Sequence, residues 1–151
     1  EFAKRNNAVA STDVKSFEHL ICTEQLSRRL GFKVGEELIR VVRVRSLNGN
    51  ARQVDHGYFL ESIAKGLTPE IAAKSIYDYL EHKRGVKVMA SRRTVSVELA
   101  NDEDCSYLDL GKYNCVAVME SQSYTSDGIL FEVTHARTHP EIFHYRVNSK
   151  R

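Results

Sequence analysis

The stretch LIRVVRVRSLNGN carries Arg43 and Arg45 two residues apart. On a strand, residues two apart project from one face, so both guanidiniums point the same way and repel each other. An anion with several oxygens relieves that repulsion, and the planar fork of arginine suits phosphate in a bidentate manner. On the pair alone the plainer reading, a solvated strand face with acidic cross-strand partners, carries more weight.

A second feature adds to it. Ser75 precedes IYDYLEHKR, a helix start at which unpaired backbone N–H groups and a hydroxyl converge on one point, as anion sites require. Most capping serines only cap, so it is the combination with Arg43 and Arg45 that points to an anion. A sugar attached to that anion needs hydroxyl partners, and Asp55 and Glu132, on the outgoing strands of two hairpins, offer carboxylates for them. Either carboxylate serves equally well as an ordinary ion-pair partner.

Other chemistry has no foothold in the sequence. The six histidines are dispersed, without an HExxH or comparable spacing, so no metal site is expected. His135 and His139 are four apart, but Pro140 and a strand-like context argue against a shared helix face. Cys22, Cys105 and Cys115 are odd in number and form no CxxC pair, which suits a reducing cytoplasm better than a disulfide framework. No GxSxG, P-loop or GxGxxG appears, so neither a catalytic residue nor a cofactor is expected.

The elements that must hold these residues can be read from turns and periodicity. Val14 to Ile21 reads as a strand, and EQLSRRL, Glu24 to Leu30, as a helix closed by Gly31. From Leu38 the chain is β-branched on both sides of Asn48-Gly49, which predicts a hairpin. Thr68-Pro69 and Ser75 each begin a helix, the second running to Gly85. VKVMASRRTVSVELA predicts a long strand, Asp102 to Leu110 a short helix with an acidic first turn, and residues 115–138 a second hairpin around Asp127-Gly128. A last strand is expected near FHYRVN. The plan of helix, Leu-Gly, strand, glycine turn and strand occurs twice, at Leu30-Gly31 and Leu110-Gly111.

Hairpins joined by separate helices, rather than alternating βαβ units, predict an α+β fold: an antiparallel sheet with helices packed on it. A length of 151 residues, 42% hydrophobic and 28% charged, fits one domain over residues 1–151. The net charge of +2 is spread without a basic stripe, so this domain is not expected to bind nucleic acid by itself. No apolar run reaches the ~20 residues of a membrane span and no leader pattern opens the chain, so a cytoplasmic protein with no membrane partner is expected.

The segments LSRRLGFKVGEELIRVVRVRSLNGN, VDHGYFL, SIYDYLEHKRGVKV, YLDLGKYNCVAVMESQSYTSDGILFEVTHART and FHYRV together resemble the UTRA effector domain of the HutC branch of GntR-family bacterial transcription regulators. The resemblance covers nearly the whole chain. It implies a chorismate lyase-like antiparallel fold in a homodimer that senses a small metabolite, with DNA bound by an N-terminal winged helix-turn-helix domain outside these residues. It further implies that Arg43, Arg45, Ser75 and Tyr77 hold a phosphate, and that Asp55 and Glu132 face a sugar. Thr138 stands where an aromatic or polar ligand contact is usual, a departure that leaves the sugar open. SIYDYLE, YLDLG and SYTSDGILFEVTHAR are most similar to trehalose operon repressors, which implies trehalose 6-phosphate or a related sugar phosphate as effector. Two other readings remain: a lyase-like enzyme on the same fold acting on a small anionic metabolite, since fold does not fix function, and a dimerisation module without a ligand.

Overall fold

Six strands and a few short helices make up the computed structural model, which describes residues 9–150. The strands are β1 (Ala10–Ile21), β2 (Glu37–Leu47), β3 (Asn50–Leu60), β4 (Val88–Leu99), β5 (Cys115–Thr125) and β6 (Leu130–Thr138). Helices α1 (Glu24–Leu30), α2 (Pro69–Ala72), α3 (Ile76–Asp78) and α4 (Asp102–Tyr107) lie between them. All strand pairings are antiparallel, in the order β1-β2-β3-β6-β5-β4. The α+β expectation holds.

The order explains the repetition seen in the sequence. The chain runs β1-α1-β2-β3 and then β4-α4-β5-β6, and the last strands of the two halves, β3 and β6, pair at the middle of the sheet. Each half begins its hairpin from a capped helix. Thr23 accepts from the Leu26 N–H, and Gly31, at φ 93°, closes α1 with its N–H on the Ser27 carbonyl. In the second half, Asn101 and Asp104 cap each other's backbone at the start of α4. The first turn, Asn48-Gly49, has φ of 49° and 82°, the left-handed pair that suits strand twist in a two-residue hairpin.

Both matching helices cover one side of the sheet, here the back. Arg29 of α1 donates to the Tyr58 hydroxyl at 2.7 Å, and Gln122 donates to the Leu30 carbonyl at 3.2 Å. On α4, Asp104 is fully buried under Arg137, which reaches it at 2.8 Å. Beneath α4, Val42, Val44, Val54, Val116 and Val118 form a buried cluster with Leu108 and Leu110. Each such side chain contributes roughly 1.5–3 kcal/mol by leaving water.

The halves differ in what joins them. Residues 61–87 have no counterpart in the repeat, and this connection, carrying α2 and α3, lies across the front of the sheet. Its Ala72, Ile76 and Leu80 share a buried cluster with Ile39, Val41 and Phe59. The front of the first half is thus roofed, while Met119, Ser121, Thr134 and Ala136 on the front of the second half are only half-buried.

Four expectations need correction. Residues 143–148, FHYRVN, form no strand. The alternation of Phe143, Tyr145 and Val147 mimics one, but β6 already has β3 and β5 on its two sides, and Tyr145 and Val147 are exposed. Helix α4 ends at Tyr107 rather than Leu110, because Leu108 turns extended (φ −100°, ψ 144°) to enter the core. The helix begun by Ser75 is α-helical only to Asp78 and continues as a π-turn from Tyr79 to Lys83. Strand β1 begins at Ala10, earlier than the expected Val14, and residues 1–8 of EFAKRNNAVAST lie outside the described residues.

Candidate anion-binding trough

The register of β2 on β3 brings Arg43 opposite Asp55 and Arg45 opposite Gln53, so these four side chains stand together on the front. Arg43 Nη2 lies 3.3 Å and Arg45 Nη1 3.7 Å from the same oxygen, Asp55 Oδ2. Gln53 donates to the other, Asp55 Oδ1. Arg43 also donates to the Ala72 carbonyl at 3.3 Å, which ties the strand to the end of α2. Burial lowers the Arg43 pKa, the Asp55 carboxylate opposes that, and Arg45 nearby adds to it.

Along the same face, Glu132 of β6 stands opposite Phe59 and, on its other side, Ser123 of β5. Glu132 is 3% exposed and accepts a hydrogen bond from the Tyr77 hydroxyl, which also lies 3.1 Å from Ser123 Oγ. Burial pushes the Glu132 carboxyl above the usual carboxylate range, against the hydrogen bonds of Tyr77 and Ser123 and the field of Arg43. Burial, joined by the neighbouring Glu132, raises the Tyr77 pKa as well, so the phenol stays protonated and donates.

Ser75 sits three residues after Ala72 and two before Tyr77, within the connection that links the two clusters. Its side chain is exposed, and its hydroxyl oxygen accepts from the Asp78 N–H at 3.2 Å. Because α3 spans three residues before the π-turn, its dipole is short, and the hydroxyl proton is what Ser75 offers a ligand. Thr138 is buried and occupies the row of Arg45 and Gln53, one strand further on. All seven residues singled out in the sequence therefore lie on the front sheet face or on the connection across it.

We call the strip of front face between these two clusters the trough: Arg43, Arg45 and Asp55 stand on one side of Gly57 of β3, and Tyr77 with Glu132 on the other. A Cβ on Gly57 would meet the Phe59 ring at 2.7 Å, so the missing side chain lets Phe59 fold flat against the sheet. A separate groove near the end of β1 is bordered by Glu36, Glu37, Glu61 and one lysine, Lys65; its charge repels phosphate. Among the described residues no group of histidine, cysteine or carboxylate side chains is arranged for a metal, the three cysteines are free thiols, and no helix is long and apolar enough to cross a membrane.

Two trough residues escaped the sequence reading. Gln53 is two residues before Asp55 and so shares its face, a period-two signal that was available. Ser123, 1% exposed, had no local signal, since its meeting with Tyr77 depends on how the connection crosses the sheet.

A family model for the UTRA domain matches residues 5–144. The chain belongs to the UTRA domain family. This UTRA domain is 27% identical over 145 residues to the HTH-type transcriptional regulator TreR of Bacillus subtilis (strain 168), covering 96% of the chain and 61% of that relative. It thus spans about three fifths of the relative's length. In structure it resembles the effector binding domain of the B. subtilis trehalose repressor TreR, with a TM-score of 0.86 over 93% of this chain and 98% of that one. The fold is shared also with YydK of B. subtilis, described as a possible transcriptional regulator, at a TM-score of 0.85 and 24% identity over 93% of this chain and 62% of that one. The UTRA domain described here is therefore related to the effector domains of GntR-family transcription regulators, and its relatives carry the names of regulators rather than of enzymes.

Proposed function

We propose that this domain binds a phosphorylated sugar in the front trough and works no chemistry on it. In this reading the phosphate rests on Arg43 and Arg45, with the Ser75 hydroxyl and the Tyr77 phenol completing its hydrogen bonds. Asp55 and Glu132 accept from sugar hydroxyls, and Thr138 lines the end of the trough. The observation that carries the reading is the convergence of two guanidiniums on one carboxylate oxygen of Asp55, while burial drives the nearby Glu132 toward its neutral form. Two guanidiniums gathered on one carboxylate are donors that the oxygens of a phosphate can accept from.

The likeness to trehalose repressors makes trehalose 6-phosphate the first candidate. The domain then serves as the sensor of a cytoplasmic repressor. As a homodimer it passes the binding event to N-terminal winged helix-turn-helix domains that contact DNA, a coupling typically of ~1–3 kcal/mol.

The test is a thermal-shift screen, followed by calorimetry, with trehalose 6-phosphate, glucosamine 6-phosphate, N-acetylglucosamine 6-phosphate, glucose 6-phosphate and their unphosphorylated parents. A true effector at a hundred times its Kd adds about 2.7 kcal/mol of stability. Stabilisation by one phosphosugar and not by its parent supports the reading; indifference to all of them overturns it. Recovery of a chemically altered ligand would instead favour an enzyme.

A further inference from the structure

The front face extends two strands beyond Glu132. Arg93 on β4 stands opposite Ser121 on β5, Ser121 opposite Thr134 on β6, and Thr134 opposite Gly57 on β3. A glycine, two hydroxyl side chains and an arginine thus form one row across the sheet, next to the row of Arg43 and Asp55. Met119 and Ala136 belong to that neighbouring row and supply apolar floor. Ser121, Thr134, Met119 and Ala136 are half-buried and Arg93 is exposed, so the stretch from Thr134 to Arg93 is accessible to a ligand, whereas Gly57 lies against the Phe59 ring.

Arg93 lies on the face that the connection carrying Tyr77 crosses, and its charge favours the ionised form of that phenol. No carboxylate among the described residues makes an ion pair with it. Its guanidinium carries five donors.

Distance decides what Arg93 can touch. From β2 to β6 is two inter-strand steps, roughly 10 Å, and from β6 to β4 another two, again roughly 10 Å. A hexose whose phosphate rests on Arg43 and Arg45 spans the first of these intervals and reaches Glu132. The second lies beyond one ring.

We propose that Arg93, with Ser121 and Thr134, forms a distal subsite for a second hydroxyl-rich unit joined to the phosphorylated sugar, which makes Arg93 a residue that sets ligand length. This rests on the sugar phosphate reading of the trough. A guanidinium beside two hydroxyls and a methyl-lined floor matches the alternating oxygens and C–H faces of a second sugar ring.

Calorimetric titration of glucose 6-phosphate and trehalose 6-phosphate into the unaltered chain, Arg93→Ala, Arg93→Lys and Arg43→Ala tests it. The unaltered chain should bind the two-ring ligand at least about ten-fold more tightly than the one-ring ligand, the worth of one charge-assisted hydrogen bond. Arg93→Ala should remove most of that ratio and leave glucose 6-phosphate affinity as it was, with Arg93→Lys in between. Arg43→Ala should weaken both ligands. Melting temperatures, which an exposed Arg93 should not move, show that each variant is folded. If Arg93→Ala weakens both ligands equally, or neither, or if the unaltered chain prefers one ring, the distal subsite is overturned while Arg43-dependent binding still stands. If neither of these two sugar phosphates binds the unaltered chain, the distal subsite is overturned, and the phosphate reading fails as well if the other phosphosugars of the screen do not bind.

Discussion

Arg43 and Asp55 stand directly opposite each other across β2 and β3 and pair at 3.3 Å, with side chains only 11% and 8% exposed. The same carboxylate oxygen also serves Arg45 at 3.7 Å. Asp55 therefore holds two guanidiniums together.

Asp55→Ala should leave Arg43 largely buried beside Arg45 without that counter-charge, destabilising the fold by about 3 kcal/mol. Inorganic phosphate in the millimolar range should restore part of the loss by standing in for the carboxylate. Thermal denaturation with phosphate and with chloride at equal ionic strength measures this. A loss that phosphate does not reverse would mean that anions do not enter the trough at these arginines.

Glu132 gives the trough a pH dependence. Burial is the main cause of its raised pKa, so its folded value exceeds the unfolded one. The stability it contributes is fully present below the unfolded pKa and is lost as pH rises through the folded value. Glu132→Gln, which keeps an acceptor for Tyr77, should remove this component. The stability difference between the unaltered chain and the variant, followed by urea denaturation across that window, should shift in favour of Glu132→Gln as pH rises. A difference independent of pH would contradict it.

Gly57→Ala should cost about 1–3 kcal/mol, because the new methyl group forces the packed Phe59 ring to move. The ring is 1% exposed and has little free space. A melting temperature equal to that of the unaltered chain would show that Phe59 relaxes freely.

Arg137 separates stability from binding. It holds the fully buried Asp104 and the Glu98 carboxylate on the back of the sheet, and these contacts raise its pKa. Arg137→Met should strand Asp104 and cost about 3–5 kcal/mol. Its folded fraction should bind sugar phosphate with unchanged affinity, since the trough lies on the other face. Calorimetry well below the variant's melting point checks that independence.

Much of this was legible in the sequence because the signals were local. Asn48-Gly49 set the hairpin and period-two spacing placed Arg43 with Arg45, but the one-residue register shift between Arg45 and Ser46, which puts Arg43 opposite Asp55 rather than Val54, had no local signal. The repeated plan around Leu30-Gly31 and Leu110-Gly111 foretold two matching halves, although in the second half the Leu-Gly pair follows the helix rather than closing it. Non-local facts were beyond reach. That β3 meets β6 depends on the packing of both halves, and the partnership of Tyr77 with Ser123 depends on the path of residues 61–87. The π-turn at Tyr79–Lys83 has a tertiary setting too: the Tyr79 hydroxyl donates to the Lys65 carbonyl at 2.6 Å and packs on Gly66. FHYRVN misled because alternation says nothing of which strand is within reach: the strand just before it, β6, already lies between β3 and β5.

The role of Arg43 and Arg45 in holding a phosphate can be measured by titrating the sugar phosphate that emerges from the screen into the unaltered chain, Arg43→Ala and Arg45→Ala. Each variant should lose at least about ten-fold in affinity, ~1.4 kcal/mol, for the phosphorylated ligand. Equal affinity in all three proteins would mean that the two arginines do not hold the phosphate.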